Sequence, residues 1–264
     1  AEPMIKNPEQ GITETNNEGT LEFENVTFVY PDGEEPVIKN VSFSAKKGET
    51  IAFIGSTGSG KSTLINLIPR FYDVTEGSIR IDGIDVRKFN LKALRKKIGF
   101  IRQKNLLFTG TIKSNIKFGK PHATHDEVEN SAKIAQAYDF ITTKEKGFDE
   151  PISEGGSNVS GGQKQRLSIA RALVRKSEIY IFDDSFSALD FKTDAILRKA
   201  LKKETKDAIV LIVAQRIGSI MDADKIIVLD EGKVVGVGKH KELLSTCNVY
   251  HEIALSQLTE EELA

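Results

Sequence analysis

The chain has 264 residues, 39% hydrophobic and 28% charged, with a formal net charge of -1. That is ordinary globular composition for one large or two small domains, without the broad positive field on which a nucleic-acid binder relies. The one cysteine, Cys247, excludes an internal disulfide and fits a reducing compartment.

No apolar run approaches the roughly 18 residues that a membrane-spanning helix needs. The opening AEPMIKNPEQ lacks the apolar core of a signal peptide. The chain is therefore expected to be soluble as it stands, although an excised domain of a membrane protein would read the same way. Residues 1–18 are polar, with no sustained period, and read as a linker or a loose tail. From Leu21, LEFENVTFVY alternates apolar and polar residues as a half-buried strand does. PDGEEP is a turn cluster and VIKNVSFSA a second alternating strand. GETIAFIGSTGSGKSTLINLI predicts a buried strand, a glycine-rich loop and a helix, and SIRIDGIDV a hairpin. The basic run Arg95-Lys96-Lys97 reads as a solvated helix face. Residues 125–142 and 160–176 have helical spacing, while EIYIFDD and AIVLIVA are short β-branched runs of the kind buried on both faces of a parallel sheet. KIIVLDEGKVVGVG predicts a hairpin with Glu231-Gly232 in its turn, and the chain from Lys239 onward is helical in pattern and acidic at its end. Strands alternating with helices imply an α/β fold with an antiparallel piece at the front. His122 and His125 stand three apart, but no carboxylate or thiol cluster nearby would complete a metal site.

Three stretches carry chemistry. Gly55-Ser56-Thr57-Gly58-Ser59-Gly60-Lys61-Ser62-Thr63 matches G-x-x-x-x-G-K-[ST] between a strand and a helix. Glycines let backbone N–H groups encircle phosphate oxygens, Lys61 reaches the terminal phosphates, and the Ser62 hydroxyl suits a magnesium ion. The plainer alternative is a Gly/Ser-rich turn of no function. VSGGQKQR places Ser160, Gly161, Gly162 and Gln163 at a helix start, where Ser160 also reads as a simple N-cap. In EIYIFDDSFSALD a buried run ends in two carboxylates, Asp183 and Asp184.

The phosphate loop, SGGQ, the strand ending in Asp and SALD, in that order, resemble the ATP-binding cassette family from about Leu21 to Leu244. The resemblance implies a P-loop (RecA-like) core sheet with helices on both faces, an antiparallel β subdomain, and an α-helical subdomain over about residues 104–168 that ends in the signature motif. It divides the chain into a linker from a preceding transmembrane domain (1–18), the nucleotide-binding domain (19–250) and a C-terminal helical tail (251–264). ATP and Mg2+ are the implied ligands. Tyr30 matches the aromatic that stacks on adenine, with a strand-end core tyrosine as the alternative, and Val37 joins it among the ATP-binding residues. Ser62, Gln103 and Asp183 match the magnesium-contacting residues. Ser160 to Gln163 match the signature, which in this family faces the ATP of a partner domain, and Asp190 matches the loop that crosses between domains. The implied working unit is thus two domains around two nucleotides, the isolated domain being a monomer without ATP.

LRKKIGFIRQKNLLFTGTIKSNIKFG and ISEGGSNVSGGQ resemble the exporter branch, multidrug and lipid exporters among them. Glu154 stands at a position that contacts the transmembrane partner, although Gly155 replaces a residue that is often basic there. The implied location is the cytoplasmic face of the cell membrane, with transmembrane coupling helices as further partners and no nucleic acid.

Two positions depart from the family together. A Glu ordinarily follows the magnesium Asp, and a His near the end of the next strand closes on the terminal phosphate; here they are Asp184 and Gln215. Asp falls short of Glu by about 1 Å, a displacement that can cost roughly 100-fold in rate. Gln215 hydrogen-bonds but carries no charge at neutral pH. Asp184, Gln215 and Gln103 are the candidate catalytic residues of a site that hydrolyses slowly, in a transporter whose two halves differ. A fully active homodimeric exporter domain and a soluble cassette protein without a membrane partner are the alternatives.

Overall fold

The β-branched runs assemble into one sheet of six strands. The computed structural model, which describes residues 5–259, orders them Lys233–Gly238, Lys225–Asp230, Thr50–Ile54, Ile209–Val213, Ile179–Asp183 and Ile98–Ile101. All neighbours run parallel except the hairpin Lys225–Asp230/Lys233–Gly238 at one edge, whose turn is Glu231-Gly232 as expected. A parallel sheet must be covered on both faces, and alternation along each strand gives it two apolar surfaces. Ile51, Phe53, Ile181, Leu211 and Ile227 enter one core, with Leu64 and Ile65 of the Lys61–Leu67 helix. Ala52, Ile54, Phe182, Ile212 and Val228 enter the other, with Leu167 and Ile169 of the Gly161–Leu173 helix.

The first core is closed by an antiparallel sheet ordered Ile38–Lys46, Thr20–Phe28, Glu76–Ile81 and Ile84–Asp85. Phe43 joins the two sheets. It stacks on Phe23 at 4.4 Å and meets Phe53 edge-on at 5.4 Å between centroids. The second core is closed by helices Ile112–Lys117, His125–Ile134, Tyr138–Thr142 and Gly161–Leu173. The helical pattern over 125–142 is therefore two helices. Gln136 breaks it in a left-handed conformation (φ 56°), and its carbonyl accepts from Arg166 Nη1 at 2.7 Å. A tertiary bond thus sets the bend where the sequence has no Gly or Pro. The tail forms helices His240–Thr246 and Asn248–Leu255.

The opening segment is docked. Ile12 bridges Phe89 through backbone bonds to Lys88 and Asn90, and Leu91 N donates to Asn7 Oδ1 at 2.7 Å. The expectation of a loose tail does not hold for residues 5–18, and the reason lies in the basic run. Arg95 and Lys96 face solvent, but Lys97 is buried. Its ammonium donates to Thr15 Oγ1 (2.9 Å), Asn17 Oδ1 (3.1 Å) and both oxygens of Glu178 (2.9 and 2.7 Å), and lies 3.5 Å from Asp82 Oδ2. One cation ties the opening segment, the Asp82-Gly83 turn and the start of the Ile179–Asp183 strand together.

Register decides where chemistry can occur. Asp183 pairs with Val213, Val213 with Phe53, and Ile54 with Val228. The carboxyl ends of the central strands are level, so residues 55–60, 184–190 and 214–219 leave the sheet on one side, the usual place for a ligand crevice in a parallel sheet.

Candidate nucleotide site

The phosphate loop is shaped by its neighbours. A Cβ on Gly55 would lie 2.0 Å from the Leu229 carbonyl oxygen, and one on Gly60 2.7 Å from Ile38 Cδ1. Both glycines have positive φ (155° and 100°), so they meet a conformational and a steric requirement together. The Glu231-Gly232 turn closes on the loop, with Gly232 N donating to the Ser59 carbonyl and Lys39 N to the Gly232 carbonyl. Val37, whose carbonyl crowds Gly60 and Gly232, stands on the same wall.

Lys61 turns back over the loop. Its ammonium donates to the carbonyls of Gly55 (2.7 Å) and Ser56 (2.8 Å) and to Ser59 Oγ (3.2 Å). Burial lowers its pKa, against the opposing pull of Asp184 and Asp183. A buried ammonium held by carbonyls at the mouth of a glycine loop can exchange those acceptors for phosphate oxygens.

The two carboxylates face different partners. Asp183 Oδ1 accepts from Ser62 Oγ at 3.0 Å, and Asp184 Oδ2 accepts from Gln103 Nε2 at 2.8 Å. Burial pushes the Asp183 carboxyl up, partly offset by the Ser62 bond and by Arg102 and Lys61. Burial and then the charge of Asp183 push Asp184 up. Asp184 holds φ 47°, with its N–H on the Val213 carbonyl at 2.8 Å. The Ser62 hydroxyl and the Asp183 carboxylate are a hard oxygen pair that suits magnesium. Among the described residues no group of three or more His, Cys, Asp or Glu could cage a metal, so such an ion would draw its other oxygens from neutral side chains such as Gln103, phosphate and water. His125 has an ordinary helix contact instead, with Glu129 at 3.5 Å.

The remaining sequence candidates fall into two groups. Tyr30 is half-buried beside the loop, its OH 2.9 Å from Thr63 Oγ1 and its ring edge-on to Phe28 and Tyr72. Gln215 follows the Ile209–Val213 strand with an exposed side chain, on the same side as Asp184. Two cations that the sequence reading passed over stand next to named residues: Arg102 beside Gln103, acting on Asp183, and Arg216 beside Gln215, acting on Asp184. Their adjacency to the motif glutamines is the signal that could have found them.

Ser160 to Gln163 and Asp190 spend their side-chain hydrogen bonds within their own turns. Ser160 Oγ accepts from Gln163 N and Gln163 Oε1 from Ser160 N, a capping box at the helix start in which Ser160 and Gly161 are exposed and Gly162 and Gln163 half-buried. Asp190 caps the Phe191–Glu204 helix through Thr193 N and Thr193 Oγ1. Among the described residues no hydrogen bond joins 160–163 to 55–63. Glu154 is exposed, in a turn brought beside the 104–112 segment by the pairing of Gly110–Thr111 with Pro151–Ile152. Next to that segment opens a groove of about 410 Å³ with Leu106 (69% exposed), Phe108 and Phe118 (65% exposed) on its rim and Arg171 and Arg175 in its wall.

Comparison with known proteins fits this arrangement. The family description "ABC transporter" matches residues 38–187. Two Staphylococcus aureus proteins, from strain NCTC 8325 / PS 47 and the bovine strain RF122/ET3-1, are each 47% identical over 89% of this chain, and both are named as multidrug export ATP-binding/permease proteins. A solved structure of a bacterial Atm1-family ABC exporter with ATP bound superposes with a TM-score of 0.91 at 36% identity, over 96% of this chain and 44% of that one. The chain spans 41% of the length of the Staphylococcus relatives. Among the described residues no helix is long and apolar enough to cross a membrane. The chain belongs to the ABC transporter family.

Proposed function

We propose that this ABC transporter domain binds Mg-ATP, closes head to tail against a second, non-identical nucleotide-binding domain, and powers export across a membrane while hydrolysing slowly at its own site. Residues 19–250 are the working domain, the segment before them the link from a transmembrane part, and residues 251–264, of which 260–264 lie outside the described residues, a C-terminal tail. The observation that carries the reading is the division of labour in the Asp doublet. Asp183 addresses the phosphate-loop serine, whereas Asp184 is engaged by Gln103. The relatives support the export reading, since those from Staphylococcus aureus are named for multidrug export and the superposed structure is an ATP-bound exporter.

In this reading Tyr30 and Val37 border the adenine, the Gly55–Thr63 loop holds the phosphates, and Lys61 transfers its ammonium from loop carbonyls to the terminal phosphate oxygens. Ser62, Gln103 and Asp183 would hold magnesium, which would supply positive charge to the phosphate oxygens. Asp184 takes the water-orienting position but is short by about a methylene, and Gln215 brings no charge to the same place. Ser160 to Gln163, which make no hydrogen bond to this chain's own loop among the described residues, serve the partner's nucleotide, and the Asp190 turn crosses the dimer seam. The groove rimmed by Leu106, Phe108 and Phe118, together with Glu154, receives the transmembrane coupling helices at the cytoplasmic face of a membrane.

Titration calorimetry with Mg-ATP beside a phosphate-release assay tests the reading. The chain is expected to bind Mg-ATP and release phosphate far below the roughly 10 per second of a typical enzyme. Turnover at or above that rate would favour the fully active homodimer instead.

A further inference from the structure

The C-terminal tail has no part in the function above, yet its end reaches the site. The carboxamide of Gln257 donates from Nε2 to the Gln215 carbonyl at 2.8 Å and accepts at Oε1 from Ile217 N at 2.8 Å. These two bonds bracket Arg216. The short turn Ile217–Ser219 has no side-chain cap of its own, so its first amide is satisfied from 40 residues away.

Gln257 is itself held in place. It follows the Asn248–Leu255 helix, whose Tyr250 and Ala254 are fully buried and whose Tyr250 hydroxyl lies 2.7 Å from His240 Nδ1. Gln257 N and Leu258 N both donate to the Ala254 carbonyl, and Leu258 packs on the core. A carboxamide offers one donor and one acceptor on a single rigid plane, which is what a carbonyl and an N–H two residues apart require. An ionised Glu of the same size lacks the donor, Leu lacks both groups, and Asn is a methylene shorter.

We infer that Gln257 is a positioning residue for the Gln215 loop, and that the tail thereby sets how strongly the domain distinguishes ATP from ADP. The inference rests on the reading that Gln215 addresses the terminal phosphate. The backbone direction at residues 215–217 decides where the Gln215 and Arg216 side chains point. Arg216 already leans toward the other side of the site, over the exposed Phe191 ring at 5.8 Å and toward the Ser187 carbonyl. The two hydrogen bonds of the Gln257 carboxamide go to the backbone of residues 215 and 217, so its effect is confined to steps that use the loop.

The test is the affinity of the whole chain for Mg-ATP and for Mg-ADP, measured for wild type, Gln257→Leu, Gln215→Ala and the double variant. Gln257→Leu is expected to weaken ATP about fivefold, roughly the worth of one neutral hydrogen bond, and to leave ADP unchanged. Gln215→Ala is expected to do the same, and the double variant to lose no more than either single one. Gln257→Glu supplies a control within one folded protein. Relative to wild type at each pH, its ATP affinity is low at neutral pH and recovers as the pH falls through the new carboxyl's range, because a protonated carboxyl again offers a donor and an acceptor. Equal weakening of ATP and ADP, no change in either, or additive losses in the double variant would overturn the inference and leave a structural staple. Wild type binding neither nucleotide would overturn the nucleotide-site reading and the inference with it.

Discussion

Replacing Lys97 by Met keeps the length of the side chain and removes its charge. In the native state that charge meets Glu178 at 2.7 and 2.9 Å, Thr15 at 2.9 Å, Asn17 at 3.1 Å and Asp82 at 3.5 Å. Breaking a fully buried ion pair costs about 3–5 kcal/mol. Here the cost is lower, because the Glu178 side chain is 38% exposed and can turn to water, and Asp82 keeps its bonds from Thr15, Gly19 and Thr20. We expect a loss of about 2–3 kcal/mol, or a fall in Tm of about 4–12 °C for a chain of this size. Urea unfolding with an unchanged m-value measures it, and hydrogen exchange over residues 12–19 should quicken. The pH dependence has a definite sign. Burial raises the Asp82 carboxyl, but the bonds from Thr15, Gly19 and Thr20 and the charge of Lys97 outweigh it and leave the group below its ordinary value. A depressed carboxyl contributes stability above its unfolded pKa, near 3.9, and loses it as pH falls through the folded one. The gap between wild type and variant should therefore persist from pH 8 to pH 5 and close only below about pH 4. A loss under about 0.5 kcal/mol, the size of an ordinary surface substitution, would refute the clamp.

Asp184→Asn should raise Tm at pH 8 by about 1–3 °C, a small effect because the half-exposed carboxylate is screened by water. Burial and Asp183 raise this carboxyl, so the native state bears a charged-form penalty that appears as pH rises through the folded pKa. The gain should shrink toward pH 4 in the same scanning experiment. Ser160→Ala removes one arm of a capping box and should cost about 1 kcal/mol in urea unfolding. If the signature serves a partner, as proposed, that variant should bind Mg-ATP at its own loop within about twofold of wild type, the scale of a few tenths of a kcal/mol.

What could be read from the sequence was what is local in the chain. The phosphate loop, both hairpin turns and the buried strands depend on neighbours a few residues away, and each stands where the pattern put it. The Lys97 clamp was illegible because its partners lie at 15, 17, 82 and 178, and a lysine in a basic run looks solvated until those residues converge. The break at Gln136 depends on Arg166, thirty residues on, and carries no Gly or Pro to mark it. The site divides in the same way. Motif identity named Lys61, Ser62, Asp183 and Asp184, but only the fold shows Gln103 on Asp184 rather than on the Ser62–Asp183 pair. The tail was read as helical, yet nothing in its pattern pointed Gln257 at residues 215 and 217, because a side-chain-to-backbone contact leaves no period.

The central claim is that the site binds ATP well and is slow because of Asp184 and Gln215 together. Its most direct test compares phosphate release by the wild-type chain and by the Asp184→Glu/Gln215→His variant, each with the partner domain present, at one protein concentration and saturating Mg-ATP. The account predicts equal ATP affinity within about twofold and turnover raised by up to roughly 100-fold in the variant, the cost attributed to a misplaced carboxylate. Rapid release by the wild type, or a variant that binds ATP equally and is no faster, would contradict it.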